Sequence, residues 1–133
     1  MGKQQSGFTL IELIAVIVIL GILAATAIPR FVNLQDEAQQ AAINAIAAGM
    51  ESASSLNHAV AIAQEAGLTN NDDDPVREIT NCNQAGTLLL TAPPAIYTIA
   101  DQAVGAGAVV LCEIAGPGEV EAQFNVIGVV EPE

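Results

Sequence analysis

Aromatic rings and cations are scarce in this chain. It has no Trp, one Tyr and three Phe, so aromatics make up only 3% of 133 residues. That leaves no set of rings on which bases could stack or along which electrons could be relayed. Three Lys plus Arg face fifteen Asp plus Glu, a formal net charge of −12, which argues against gripping nucleic acid by bulk electrostatics and against docking on anionic lipid. His58 is the single histidine and has no Cys beside it. Ser54 and Ser55 stand three and four residues from it, but helical spacing alone does not make a nucleophile pair, and no nucleophile elbow is present. There is no phosphate loop, dinucleotide fingerprint or zinc spacing. Neither an enzyme nor a cofactor is therefore expected, with no catalytic residue and no metal ligand to name. The chain also lacks an internal repeat, and its length without the apolar N-terminus allows one modest core rather than a large cleft.

What is present is concentrated at the start. A polar leader with Lys3 ends in Ser6-Gly7 and runs into Phe8-Thr9-Leu10-Ile11-Glu12-Leu13, then into apolar sequence to Ile28. Phe8–Ile28 is twenty-one residues, close to the roughly 20 a helix needs to cross a bilayer. Its Ile and Val content favours no isolated helix in water, but in lipid every backbone group must be satisfied internally, and a single span can do so only as a helix. A carboxylate in such a helix is costly and calls for a partner or a purpose. Cutting the chain between Gly7 and Phe8 would supply a partner for Glu12, because it leaves a new α-amino group on Phe8.

A short leader, a glycine before the cut, then FTLIEL and an apolar run resemble the signature of a type IV prepilin. The stretch Pro29-Arg30-Phe31-Val32-Asn33-Leu34-Gln35-Asp36-Glu37-Ala38 is similar to the corresponding part of the mannose-sensitive haemagglutinin type of pilin. The resemblance is strong over residues 7–38, continues through an Ala-rich segment to about residue 66, and thins beyond it. It implies a prepilin held in the inner membrane, a prepilin peptidase that cuts after Gly7 and N-methylates Phe8, and assembly machinery that polymerises the mature subunit. The product would be a helical filament at the cell surface, built by self-association through the N-terminal helix. Loss of Lys3 with the leader leaves two cations against fifteen carboxylates, a side-chain total of −13. In such a filament Glu12 would face the Phe8 amine of a neighbour and set the register of addition; a pair within one chain is the plainer reading, because residues four apart share a helix face. The resemblance further implies that the stretch from Gly21 to Pro29 can lose helicity in the assembled pilus, where a kink and a packing glycine are the plainer reading. Attachment is the use toward which the haemagglutinin-type likeness tilts.

Two other readings stand beside this one. A pseudopilin of type II secretion shares the same N-terminal features. A small secreted binding protein would read Lys3 and Leu10–Leu23 as an ordinary signal peptide with Ala25-Thr26-Ala27 as its cleavage site; Glu12 within the apolar core argues against it.

From Val32 to about Ala66 the pattern is again helical, with Ile43, Ile46, Met50, Ala53, Leu56 or Asn57, and Val60 on one stripe. Alanines such as Ala41, Ala42, Ala45, Ala47 and Ala48 make a narrow rod that neighbouring helices can approach closely. Gly67 is the expected C-cap, and Asn70-Asn71-Asp72-Asp73-Asp74-Pro75 a polar turn. The three aspartates lack the alternating spacing and closing Glu of a calcium loop, so a solvated acidic loop is expected rather than a metal site. Short β-type runs follow at Thr87–Thr91, Ile96–Ala100, Ala108–Ile114 and Ala122–Val130, separated by Pro and Gly. The expected fold is α+β: a long N-terminal helix whose C-terminal half packs on a small antiparallel sheet. The division expected is 1–7 leader, 8–29 hydrophobic helix, 30–66 amphipathic continuation and 67–133 head.

Cys82 and Cys112 lie in that head. An even cysteine count in an exported chain favours a disulfide, which would stabilise the head by roughly 3 to 4 kcal/mol through loop closure. Free buried thiols, or a two-cysteine metal site with no further ligands at hand, are the alternatives. The pilin resemblance also implies a disulfide-bounded loop.

Overall fold

The computed structural model describes residues 7–69 and 75–130. Its elements are helix α1 (Leu10–Glu65), a 3-10 helix (Cys82–Leu88), and strands β1 (Thr98–Ile99), β2 (Val109–Ala115) and β3 (Glu121–Ile127). The chain forms two compact units, one up to Gln35 and one from Asp36 onward. The architecture is α+β, as the sequence predicts.

From Leu13 to Leu23 α1 is apolar on every side. Leu10, Ile11, Leu13, Ile14 and the Ile, Val and Leu residues through Leu23 are all exposed, and this helix is long and apolar enough to cross a membrane by length and composition. A helix without a polar face is suited to lipid or to the interior of an assembly. Neither Gly21 nor Pro29 interrupts it: Pro29 lies inside α1. Between them Thr26 Oγ1 donates to the carbonyl of Leu23 at 3.0 Å, a back-bond that bends helices slightly. The loss of helicity implied for this stretch concerns the assembled filament and is not a feature of the single chain.

In the second unit α1 contributes a buried stripe of Ile43, Ala47, Met50, Ser54, Asn57 and Ala61, at steps of four and three. This corrects the predicted stripe at three positions. Ala47 replaces Ile46, Ser54 replaces Ala53 and Ala61 replaces Val60, while of the pair Leu56 or Asn57 it is Asn57 that turns inward and Leu56 remains 67% exposed. At Ser54 and Asn57 the reason is hydrogen bonding: both serve backbone groups that face them, which Ala53 and Leu56 could not do.

The helix ends in a Schellman motif, with the Leu68 amide on the Ala63 carbonyl and the Gly67 amide on that of Gln64, both at 2.9 Å. Gly67 takes φ +69°, a left-handed conformation that glycine adopts without a Cβ clash. The polar turn expected at Asn70–Asp74 lies outside the described residues.

The sheet order is β1-β2-β3, antiparallel throughout. Pairings Cys112↔Phe124, Ile114↔Ala122 and Val110↔Val126 fix the register of β2 and β3. Alternation then sends Cys112, Ile114, Phe124 and Val126 into the core with Ile43, Ala47 and Met50. The turn between β2 and β3 passes so close to α1 that a Cβ on Gly118 would lie 2.5 Å from Gln39 Oε1, at a residue already held at φ +76°.

The run Thr87–Thr91, predicted as a strand, is not one. Thr87 and Leu88 close the 3-10 helix. Asn81 starts that helix with a capping box: its side chain accepts from the Asn83 amide at 3.0 Å, and Gln84 Oε1 accepts from the Asn81 amide at 2.9 Å. A local cap therefore outweighs the β-propensity of Thr and Leu.

Candidate functional site

The N-terminal site is set by a second capping box. Thr9 precedes α1; its amide and its hydroxyl both donate to Glu12 Oε2 at 2.8 Å, and the Glu12 amide donates back to Thr9 Oγ1 at 3.3 Å. Thr9 and Glu12 are the N-cap and N3 positions, while Phe8 and Leu13 occupy those of a hydrophobic staple. The motif ends the helix one residue short of Phe8, so Gly7 and Phe8 stand outside it, and the Gly7–Phe8 peptide is free of helical hydrogen bonding. Gly7 is itself in open space, with no heavy atom within 4 Å of where a Cβ would be. Glu12, read from the sequence as a partner for an amine, is already held by its own N-terminal neighbour. The T-x-x-E spacing is the sequence signature of that box, although the charge of Glu12 is its more conspicuous feature. Of the leader, residues 1–6 lie outside the described residues. Gly21 is likewise in open space.

The head presents a different arrangement. Edge strand β3 has β2 on one side, and its other edge is met by side chains of α1. Gln40 Nε2 donates to the Glu121 carbonyl at 2.8 Å, Glu51 Oε2 accepts the Asn125 amide at 2.9 Å, and Ser54 Oγ accepts the Ile127 amide at 2.9 Å. The helix thereby closes an edge that would otherwise invite strand addition. One step further along, Asn57 clamps the backbone of Arg77, accepting its amide at 2.9 Å and donating to its carbonyl at 2.8 Å. These polar residues were missed because an amphipathic pattern shows only that a face is polar, and not which strand runs past it.

Cys82 and Cys112 are joined as a disulfide with Cα atoms 5.8 Å apart, within the ordinary range. Both are buried. The bond ties the first turn of the 3-10 helix to the middle of β2 and encloses the loop that carries β1. His58 is half-buried. Ser54 accepts from the Ile127 amide and Ser55 donates to the Glu51 carbonyl at 3.0 Å, and neither serine is hydrogen-bonded to His58. Among the described residues there is no group of three His, Cys, Asp or Glu suited to a metal; Asp72–Asp74 fall outside them.

Residues 2–28 match the family described as the prokaryotic N-terminal methylation motif. Over 65 residues the chain is 53% identical to the type IV narrow pilus major component PilA5 of Thermus thermophilus, a match covering 49% of this chain and 53% of that protein. It is 49% identical over 53 residues to the type II secretion system core protein G of Pseudomonas aeruginosa, covering 37% of each. It is 44% identical over 63 residues to the type IV major pilin protein PilE of Neisseria gonorrhoeae, covering 45% of this chain and 38% of that one. No solved structure matches. The chain carries a type IV prepilin methylation motif and is homologous to type IV pilins. The matches span about half the length of these relatives or less, and none of the three is named as an enzyme.

Proposed function

We propose that the chain is the structural subunit of a type IV pilus-like filament. It enters the inner membrane as a prepilin through the apolar half of α1, is cut after Gly7 by a prepilin peptidase, is N-methylated on Phe8, and is polymerised through the same helix by pilus assembly machinery. The observation that carries this reading is the N-terminal site: an unhelical Gly7–Phe8 peptide followed at once by a capped helix whose run to Ile28 carries no charge but Glu12. A peptidase needs the first, and a filament core or bilayer needs the second. In the filament the Phe8 amine of one subunit faces Glu12 of another, and the Gly21–Pro29 stretch can open. Attachment is the use proposed.

A pseudopilin role in type II secretion is the second reading, supported by the likeness to core protein G. The matched segments of all three relatives cover half or less of this chain, so they leave most of the head uncompared. The disulfide-tied head favours a pilus.

Intact mass and N-terminal sequencing of the chain in filaments sheared from cells test the proposal. A chain beginning at methylated Phe8 is the expected result. A chain beginning near Ile28 and free in the medium would sink it.

A further inference from the structure

The unit from Asp36 onward holds fourteen carboxylates and one cation, Arg77. Arg77 is exposed, its backbone is fixed by Asn57, and it borders an open groove of about 210 Å³ whose apolar lining includes Leu56, Val60, Pro75 and Leu88. A single exposed leucine needs no explanation. An apolar groove beside the one positive charge of an acidic head has a recognisable complement: apolar side chains next to a carboxylate.

The head carries that complement on another face. The outer surface of β2 presents Val109 and Leu111, 64% and 53% exposed, followed at the same two-residue spacing by exposed Glu113. Cys112 and Ile114, between and beyond them, point into the core. The groove is built from α1, the segment leading into the 3-10 helix and Leu88 at the end of that helix, so the two patches share no residue. Complementary patches at different places on one subunit make a heterologous contact, which generates an open helical array unless the rotation closes.

We propose that a second copy of this chain docks the outer face of β2, through Val109, Leu111 and Glu113, into the groove beside Arg77. The proposal rests on the filament reading and adds a head-to-head contact to it. An exposed ion pair contributes little by itself, so the apolar residues hold the contact. Arg77 selects the partner face, because like charges juxtaposed there are strongly disfavoured.

The test uses the full chain in cells that process and export it, with filament yield read from the sheared fraction. Arg77→Glu and Glu113→Arg are each expected to lower the yield on the order of tenfold, and the double variant to restore it. A photo-crosslinking residue at position 56 in the otherwise natural chain is expected to join residues 109–113 of a neighbour. If natural cells shed no filament containing the chain, the filament reading itself fails. If they do, and Arg77→Glu sheds as much, or position 56 crosslinks elsewhere, only the docking fails. Should Arg77→Glu not accumulate as a processed, disulfide-bonded subunit, the crosslink decides.

Discussion

Glu12 has a role within its own chain before any neighbour arrives. Its carboxylate closes the capping box with Thr9, so it is fixed at the mouth of the helix where an incoming amine can meet it. Glu12→Leu suits the lipid better and keeps the helix apolar; the variant should be stable in the membrane and cut after Gly7, yet form few filaments. Normal piliation by that variant would remove the register role. Gly7→Leu separates a different demand. The chain leaves open space around Gly7, so the fold tolerates a larger side chain. Accumulation of uncut prepilin would locate the requirement for glycine in the peptidase, while normal cutting would show that no such requirement exists. In the head, Asn57→Ala strands the Arg77 amide and carbonyl beside a buried side chain, at a cost of about 1–3 kcal/mol. Faster hydrogen exchange at the Arg77 amide than in the natural chain checks this, and unchanged exchange refutes it.

The elements differ in how far the sequence reveals them. Reduction of the buried Cys82–Cys112 bond releases a loop of thirty residues and should destabilise the head by roughly 3–4 kcal/mol on the loop-entropy account. Thermal unfolding of the mature chain in detergent, with and without reductant, measures it; coincident curves would mean that packing alone holds the loop. Helix α1 was legible because its apolar run, its Ala-rich continuation and Gly67 act locally. Strands β2 and β3 were legible to within two or three residues for the same reason, with Gly116-Pro117-Gly118 between them. The stripe of α1 was legible only in part, since Ser54 and Asn57 are buried for what they bond to, and those partners are 73 and 20 residues away. The run at Thr87–Thr91 was misread because its fate is decided upstream, by Asn81 and Gln84. At the N-terminus the cleavage motif was plain, whereas the capping box inside it was not, because a carboxylate in an apolar run has the same sequence signal whether it pairs with a charge or accepts hydrogen bonds.

At the scale of the whole molecule, charge and greasiness are divided along the chain. Fourteen of the fifteen carboxylates lie from Asp36 onward, while the residues from Phe8 to Ile28 hold only Glu12. Filament formation therefore brings apolar helices together and acidic heads with them, and the two act in opposite directions. Burial of the exposed apolar residues on α1 is insensitive to moderate salt. Repulsion among heads is not: the Debye length falls from about 30 Å at 0.01 M to about 8 Å at 0.15 M. Salt also weakens a contact between Arg77 and a carboxylate, but one exposed pair is worth at most about 1 kcal/mol, against a repulsion summed over fourteen carboxylates and their counterparts in every neighbour. Screening of the repulsion should prevail. Sheared filaments are expected to stay dispersed in low salt and to associate side by side as salt rises, read by light scattering across that range. A fall in scattering with salt would show that attraction between unlike charges, and not the apolar surface, holds neighbouring filaments together.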